Sequence, residues 1–251
     1  MEKIKRRTKE KRAQRLYALT VIILGIAIFV MGFIVLFHIQ KIEIKGTEYA
    51  SKTEIVKWMQ DGNFTSNSLY VLMQNKLGYK EPLGFMEEVK VSMKNPWTLK
   101  VTVKEKEMVG CFVSKDGYNY IDGQGVVVKK DTVSRQAIPV VEGLEMEEPI
   151  LYETIRAKDE RAKDIILDAL RYAKDEELAP DRIVSNDNGL TMVFGRVYVN
   201  LGIGNLENKI LQISPILEKL SGQEGTLHLE YFSDESTKIS FKKGEIPENG
   251  Q

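Results

Sequence analysis

The sequence predicts an α+β protein on a single N-terminal transmembrane helix. Outside the membrane it predicts a small β-α-α-β-β domain and then a larger, strand-rich α+β domain. Three observations carry this. Leu16 to Phe37 runs 22 residues without one charge. Between Lys41 and Lys106, alternating apolar and polar residues flank two stretches of helical period. Beyond Met108, short alternating segments recur between glycine-containing turns, interrupted by two amphipathic helical patterns.

The apolar stretch comes first. At about 1.5 Å of rise per residue it crosses the roughly 30 Å hydrocarbon core of a bilayer. A cleaved signal peptide has a shorter apolar part ending in small residues. Here the exit reads Leu36-Phe37-His38-Ile39-Gln40-Lys41, with no such site, so the stretch is an uncleaved anchor. Residues 1–15 hold eight basic side chains (Lys3, Lys5, Arg6, Arg7, Lys9, Lys11, Arg12, Arg15) against Glu2 and Glu10, a net of +6 in a chain of net charge 0. Basic flanks stay on the cytoplasmic side, which places the N-terminus inside and the bulk of the chain outside. Such a run can also bind nucleic acid, but abutting an anchor it is a topology signal that touches anionic headgroups. Ala18, Gly25 and Gly32 share one stripe of the helix, a pattern common in membrane helices that names no partner.

After the anchor, Ile42 and Ile44 alternate with Lys41, Glu43 and Lys45 until Gly46 breaks a short half-buried strand. Ser51 caps a helix to Gln60, with Glu54 as capping-box partner and Ile55, Trp58 and Met59 on one face. Ser66 or Asn67 opens a second helix with Leu69, Leu72, Met73 and Leu77 inward, stopped by Gly78. Val89, Val91 and Met93 then alternate, Asn95-Pro96 turns, and Leu99, Val101 and Val103 alternate on the return. The result is a three-stranded sheet covered on one face by two helices.

Strand-Gly-helix-helix-strand-strand outside an anchor resembles a POTRA domain. Asn95-Pro96-Trp97-Thr98-Leu99-Lys100-Val101-Thr102-Val103-Lys104-Glu105-Lys106 is similar to the hairpin and Val-x-Glu-basic ending of the FtsQ/DivIB family of bacterial division proteins. That family usually continues with Pro and a small residue, where this chain has Glu107-Met108-Val109-Gly110. Tyr118 to Val128, with Asp122-Gly123 at the turn, resembles the family's hydrophobic-Asp-x-x-Gly-hydrophobic segment. Ile138-Pro139-Val140-Val141-Glu142-Gly143 is similar to its Leu-Pro-x-hydrophobic-x-Gly. Asp122 beside two glycines is a turn former rather than a catalytic acid.

Asp159 to Lys174 carries Ala162, Ile165, Ile166, Ala169, Leu170 and Ala173 on one helical face. Ile183-Val184 begins a strand, and Leu190–Phe194 and Val197–Leu201 pair around Gly195-Arg196. Leu206, Ile210, Ile213, Leu217 and Leu220 give a second helix. Pro215 inside it, where a missing N–H and a ring clash cost about 3 kcal/mol, kinks it or starts a new helix capped by Ser214. Two closing strands, Thr226–Phe232 and Lys238–Lys242, flank Ser233-Asp234-Glu235-Ser236. The expected division is a basic cytoplasmic tail 1–15, a transmembrane helix 16–38, a POTRA-like domain 39–107, a β domain 108–243 and a flexible tail 244–251.

The sequence points to no catalytic, metal or cofactor site, and the expected protein is not an enzyme. Its two histidines, His38 and His228, and its one cysteine, Cys111, lie in different segments, with no H-E-x-x-H or C-x-x-C pattern. Gly202-x-Gly204 lacks the third glycine of a dinucleotide loop, and a lone cysteine excludes an internal disulfide. Cys111 in an apolar strand reads as a buried hydrophobe; the competing function is an anchored thiol hydrolase using Cys111 and His228. The resemblance implies instead a bitopic component of the division septum, binding FtsL-type and DivIC/FtsB-type membrane proteins to assemble or regulate septal wall synthases. A transport accessory shares the POTRA logic. The expected partner site is the last strand, with Lys238, Ser240 and Lys242 on its solvent face and Tyr231 and Phe232 beside it, acting through strand addition.

Overall fold

The computed structural model describes residues 2–233 and 236–247 of the chain. The side chains of the basic tail as far as Arg12, the turn residues Asp234 and Glu235, and residues 248–251 of the expected tail lie outside the described ones. Helix α1 (Glu2–Leu36) contains the stretch Gln14–Leu36, 23 residues with a mean hydropathy of 3.0 and no side chain buried by the rest of the chain. A helix this apolar on every side fits a single-pass membrane protein.

The chain divides into two compact units. The first runs to Pro82 and includes Glu88–Lys104. Strand β1 (Lys41–Lys45) is followed by helices α2 (Lys52–Gln60) and α3 (Ser68–Lys76), then the hairpin β2 (Met86–Asn95) and β3 (Thr98–Glu105). The sheet order is β1-β3-β2, with β1 parallel to β3. Gly46 ends β1 at φ 83°, where a Cβ would meet the Val103 carbonyl oxygen at 2.1 Å, so only glycine fits. The Ser51 side chain caps α2 through the Thr53 N–H, and Asn67 caps α3 through Leu69 and Tyr70 N–H. Ile55, Trp58 and Met59 are buried with Val91, Leu99, Val101 and Val103, as the α2 pattern requires. On α3 the expectation fails in part: Ser68 and Val71 are buried, while Met73 and Leu77 are exposed. The Ser68 hydroxyl donates to the Pro96 carbonyl, which turns that side of α3 toward the β2–β3 hairpin.

The second unit holds a nine-stranded sheet. Its strands in chain order are β4 (Gly110–Ser114), β5 (Gly117–Ile121), β6 (Val127–Asp131), β7 (Val140–Glu142), β8 (Arg182–Asn186), β9 (Gly189–Phe194), β10 (Val197–Gly202), β11 (Gly225–His228) and β12 (Ser240–Lys243). Across the sheet they lie β12-β11-β10-β9-β8-β7-β4-β5-β6. Helix α4 (Glu160–Asp175), capped by Asp159, joins the parallel neighbours β7 and β8. Helices α5 (Leu206–Leu211) and α6 (Ile213–Lys219) join the parallel neighbours β10 and β11. Through β9 these strands all point the same way, and both connections step toward β12. Two right-handed crossovers in one direction place all three helices on one face. One core follows, in which Ile166, Leu170, Ile210 and Ile213 meet Met192, Val199 and Leu227.

The break between α5 and α6 realises the second expectation for Pro215, a new helix, but with its start two residues earlier. It falls at Gln212, which stands at the N-cap position of α6 in place of Ser214 and makes no side-chain cap hydrogen bond, so the unit holds three helices. Pro215 sits in the first turn of α6, where the N–H has no intrahelical partner to lose.

Candidate strand-docking site

Strand β12 is the outer strand of the nine-stranded sheet, antiparallel to β11 in the register Gly225↔Lys243, Thr226↔Lys242, Leu227↔Phe241 and His228↔Ser240. Both closing strands are shorter than their sequence patterns. Tyr231, Phe232 and Lys238 therefore lie in the connection between them, and Ser240 and Lys242 within β12.

Antiparallel pairs alternate between those that exchange both main-chain hydrogen bonds and those that exchange none. The Gly244 N–H donates to the Glu224 carbonyl at 2.9 Å, one step beyond Gly225↔Lys243. The Gly225 and Leu229 N–H groups donate the other way, to Arg196 and Asn200 of the β10 side. So Thr226/Lys242 and His228/Ser240 are the bonded pairs, and the N–H and C=O of Phe241 and Lys243 face outward from the sheet. The Ser240 N–H therefore belongs to the internal ladder.

The side chains divide by the same parity. Phe241, with Ile239, packs on the helix-covered core. Lys243 borders a cleft of about 640 Å³ lined also by Phe194, Arg196, Leu217, Leu220 and Glu224. Ser240 and Lys242 are exposed. Tyr231 is 64% exposed, and the Lys238 ammonium lies 5.6 Å from its ring centroid, a cation–π contact. Phe232 is half-buried, its N–H donating to Leu229 at 3.0 Å.

A charged cluster backs this edge. His228 Nδ1 lies 2.8 Å from Glu230 Oε1, and Nε2 lies 3.0 Å from Glu245 Oε2, which also pairs with Lys242 at 3.2 Å. Burial opposes the charge on His228, but hydrogen bonds to Glu245 and Glu230 outweigh it, and its pKa stands above the ordinary histidine value. The His228 hydrogen bond, with Lys242 beside it, holds the Glu245 carboxyl below its usual range. The Thr226 hydroxyl donates to the Glu245 carbonyl at 2.7 Å, binding the chain after β12 back onto β11. Behind them the fully buried Lys209 ammonium donates to the carbonyls of Leu201, Ile203 and Glu230 at 2.8, 3.2 and 3.4 Å. Burial pushes its pKa down. The helical pattern of α5 gave no sign that Lys209 faces inward.

The geometry excludes the Cys111/His228 dyad. Cys111 is in β4 and His228 in β11, with four strands between them. At about 4.8 Å per strand, the five steps separate them by roughly 24 Å. Cys111 is 1% exposed, and burial pushes its thiol up to about 12. Asp122 forms a turn: its Oδ1 accepts from Gln124 and Val126 N–H at 2.9 Å each, and its Oδ2 from the Lys106 ammonium at 2.8 Å. Among the described residues no group of three or more His, Cys, Asp or Glu side chains could hold a metal ion.

No protein-family model matches the chain. Two curated proteins do, each named cell division protein DivIB, from the Hall and Loch Maree strains of Clostridium botulinum. Each is 28% identical to the chain over 168 residues, 66% of its length. The match spans 65% of the length of either relative.

Proposed function

We propose that this chain, which belongs to the FtsQ/DivIB family of bacterial cell-division proteins, is a single-pass membrane scaffold whose exterior β12 edge receives a strand from a partner. The N-terminus is cytoplasmic, both compact units are outside, and the partners are FtsL-type and DivIC/FtsB-type membrane proteins at the division septum. Through them the chain assembles or regulates septal wall synthesis. One observation carries the reading: Phe241 and Lys243 aim their main-chain donors and acceptors away from a sheet whose internal ladder is already closed by Ser240 and Lys242. An added strand supplies affinity through main-chain hydrogen bonds and selectivity through alternate side chains. The lysines of β12 deter indiscriminate pairing while the edge waits.

The register gives a paired test on the exterior part of the chain, with binding to the exterior parts of an FtsL/DivIC-type pair as readout. Lys243→Pro removes an outward N–H and leaves the β11–β12 ladder intact. Binding is expected to fall at least tenfold, with an unchanged circular dichroism melt. Lys243→Ala, which keeps the N–H, should retain most binding. Full binding by a normally folded Lys243→Pro chain would sink the proposal.

A further inference from the structure

The exit of the membrane helix is bound into the first unit by main-chain hydrogen bonds. The Ser68 N–H donates to the Phe37 carbonyl and the Ile39 N–H to the Ser66 carbonyl, both at 2.8 Å. The Gln40 and Lys41 N–H groups both donate to the Trp97 carbonyl, at 2.9 and 3.2 Å. The loop before α3 and the tip of the β2–β3 hairpin are therefore fixed where α1 ends, at Leu36.

Three aromatic side chains are exposed on these segments and the first turn of α3: Phe64 at 77%, Trp97 at 40% and Tyr70 at 37%. Phe64 and Tyr70 meet edge to face with centroids 6.0 Å apart. Phe64 is the anomaly. Its φ is 62°, in the left-handed region that a bulky residue seldom adopts. Its neighbour Thr65 is buried and closes the turn by donating to the Gln60 and Gly62 carbonyls. The loop is thus held by Thr65 while Phe64 projects outward, and neither core packing nor backbone preference accounts for a phenyl group there. An observed outlier of this kind points toward function.

Position supplies the occupant. Phe64 is two residues from Ser66, hence within about 7 Å of it along the chain, and Ser66 is hydrogen-bonded to the third residue past the membrane helix. The polar interfacial layer on each side of a bilayer is roughly 5–7 Å thick, so Phe64 lies within reach of it. Rings such as Trp and Tyr concentrate at that depth, where an apolar body and a polar tip are both accommodated.

We propose that Phe64, Tyr70 and Trp97 form an aromatic collar that seats the first unit on the exterior headgroup layer of the bilayer crossed by α1. The inference rests on α1 being a membrane span. The collar adds a lipid contact to the main-chain attachment and so gives the first unit a defined posture on the membrane surface.

The test uses the full chain reconstituted in phosphatidylcholine–phosphatidylglycerol vesicles whose acyl chains carry bromine. Asn63→Cys, beside an intact Phe64, takes an environment-sensitive fluorophore; Cys111 is buried and stays unlabelled. The collar requires quenching by the lipid bromines, shielding from aqueous iodide, and loss of most of that quenching in Asn63→Cys/Phe64→Asp. Iodide quenching as strong as that of free dye, in a chain that resists alkaline carbonate extraction, overturns the collar and leaves the span standing. A chain extracted by carbonate overturns both. A label shielded from bromine and iodide alike is covered by protein, which also overturns the collar.

Discussion

Asp122 offers a sharp test of how the second unit is held. Its side chain is 6% exposed and that of Lys106 25%, so the pair is mostly removed from water. Asp122→Ala strips the acceptor from two main-chain donors and leaves the Lys106 ammonium without this carboxylate. Hydrogen bonds to charged groups contribute about 1.5–3 kcal/mol each. Removing one member of a buried pair costs about 3–5 kcal/mol. Lys106 keeps some access to solvent, so about 3–4 kcal/mol is the expected loss. Asp122→Asn keeps the Oδ1 acceptor and should cost about 1–2 kcal/mol. Cys111 provides the assay, because it is the chain's single thiol, lies in β4 of the same unit and is buried. When opening is fast and reversible, the rate of thiol labelling follows the population of the open state. Since 1.36 kcal/mol is a factor of ten, Asp122→Ala should speed labelling roughly 10²- to 10³-fold. Asp122→Asn should speed it roughly 5- to 30-fold. Labelling of Asp122→Ala within about threefold of the parent would refute the assignment.

Trp58→Ala should destabilise the first unit by about 3–5 kcal/mol through lost burial. Part of that loss is the indole N–H bond to the Glu81 carbonyl at 2.8 Å, so Trp58→Phe should cost about 1–2 kcal/mol. Urea unfolding followed by Trp97 emission measures both, and an unchanged midpoint in Trp58→Ala would mean that its burial contributes nothing. The His228 cluster, in which the imidazole meets Glu230 and Glu245 and Glu245 meets Lys242, should make stability depend on pH. Because the folded pKa is raised, the contribution is fully present below about pH 6.5 and is lost as pH rises through the folded value. The pH slope of stability across that window should shrink in His228→Gln; an identical slope would remove His228 from the account.

The elements were largely legible because their signals are local. Ser51, Asn67 and Asp159 each cap the helix that their position announces. The alternation of Leu99, Val101 and Val103 likewise matches their burial. Failures arose where the decisive contact is distant. Helix α3 is apolar on more than one side, so the side facing the sheet depends on Ser68 reaching Pro96 across 28 positions. At β12 the alternation of Ile239 and Phe241 identified the inward side chains. It gave no information on whether Ser240 or Lys243 turns its N–H outward, because that parity comes from the pairing of Gly244 with Glu224. Lys209 was missed for a similar reason: two carbonyls at the end of β10 and one just after β11 offset the cost of burying it, and none belongs to the helix whose pattern was read.

Placing all the crossover helices on one face makes the sheet edge two-sided. A strand laid along β12 meets two environments in alternation. Positions opposite Phe241 and Lys243 turn toward the helices, where the cleft between Phe194 and Leu217 can hold an apolar group. Positions opposite Ser240 and Lys242 turn toward water, next to ammonium and carboxylate groups. The edge therefore imposes a grammar of period two on whatever it accepts: apolar, polar, apolar. A one-residue slip would reverse every choice, presenting polar groups to the cleft and apolar ones to solvent. In the proposed pairing, register would be set by composition as well as by hydrogen bonding, and a candidate strand can be screened by its alternation.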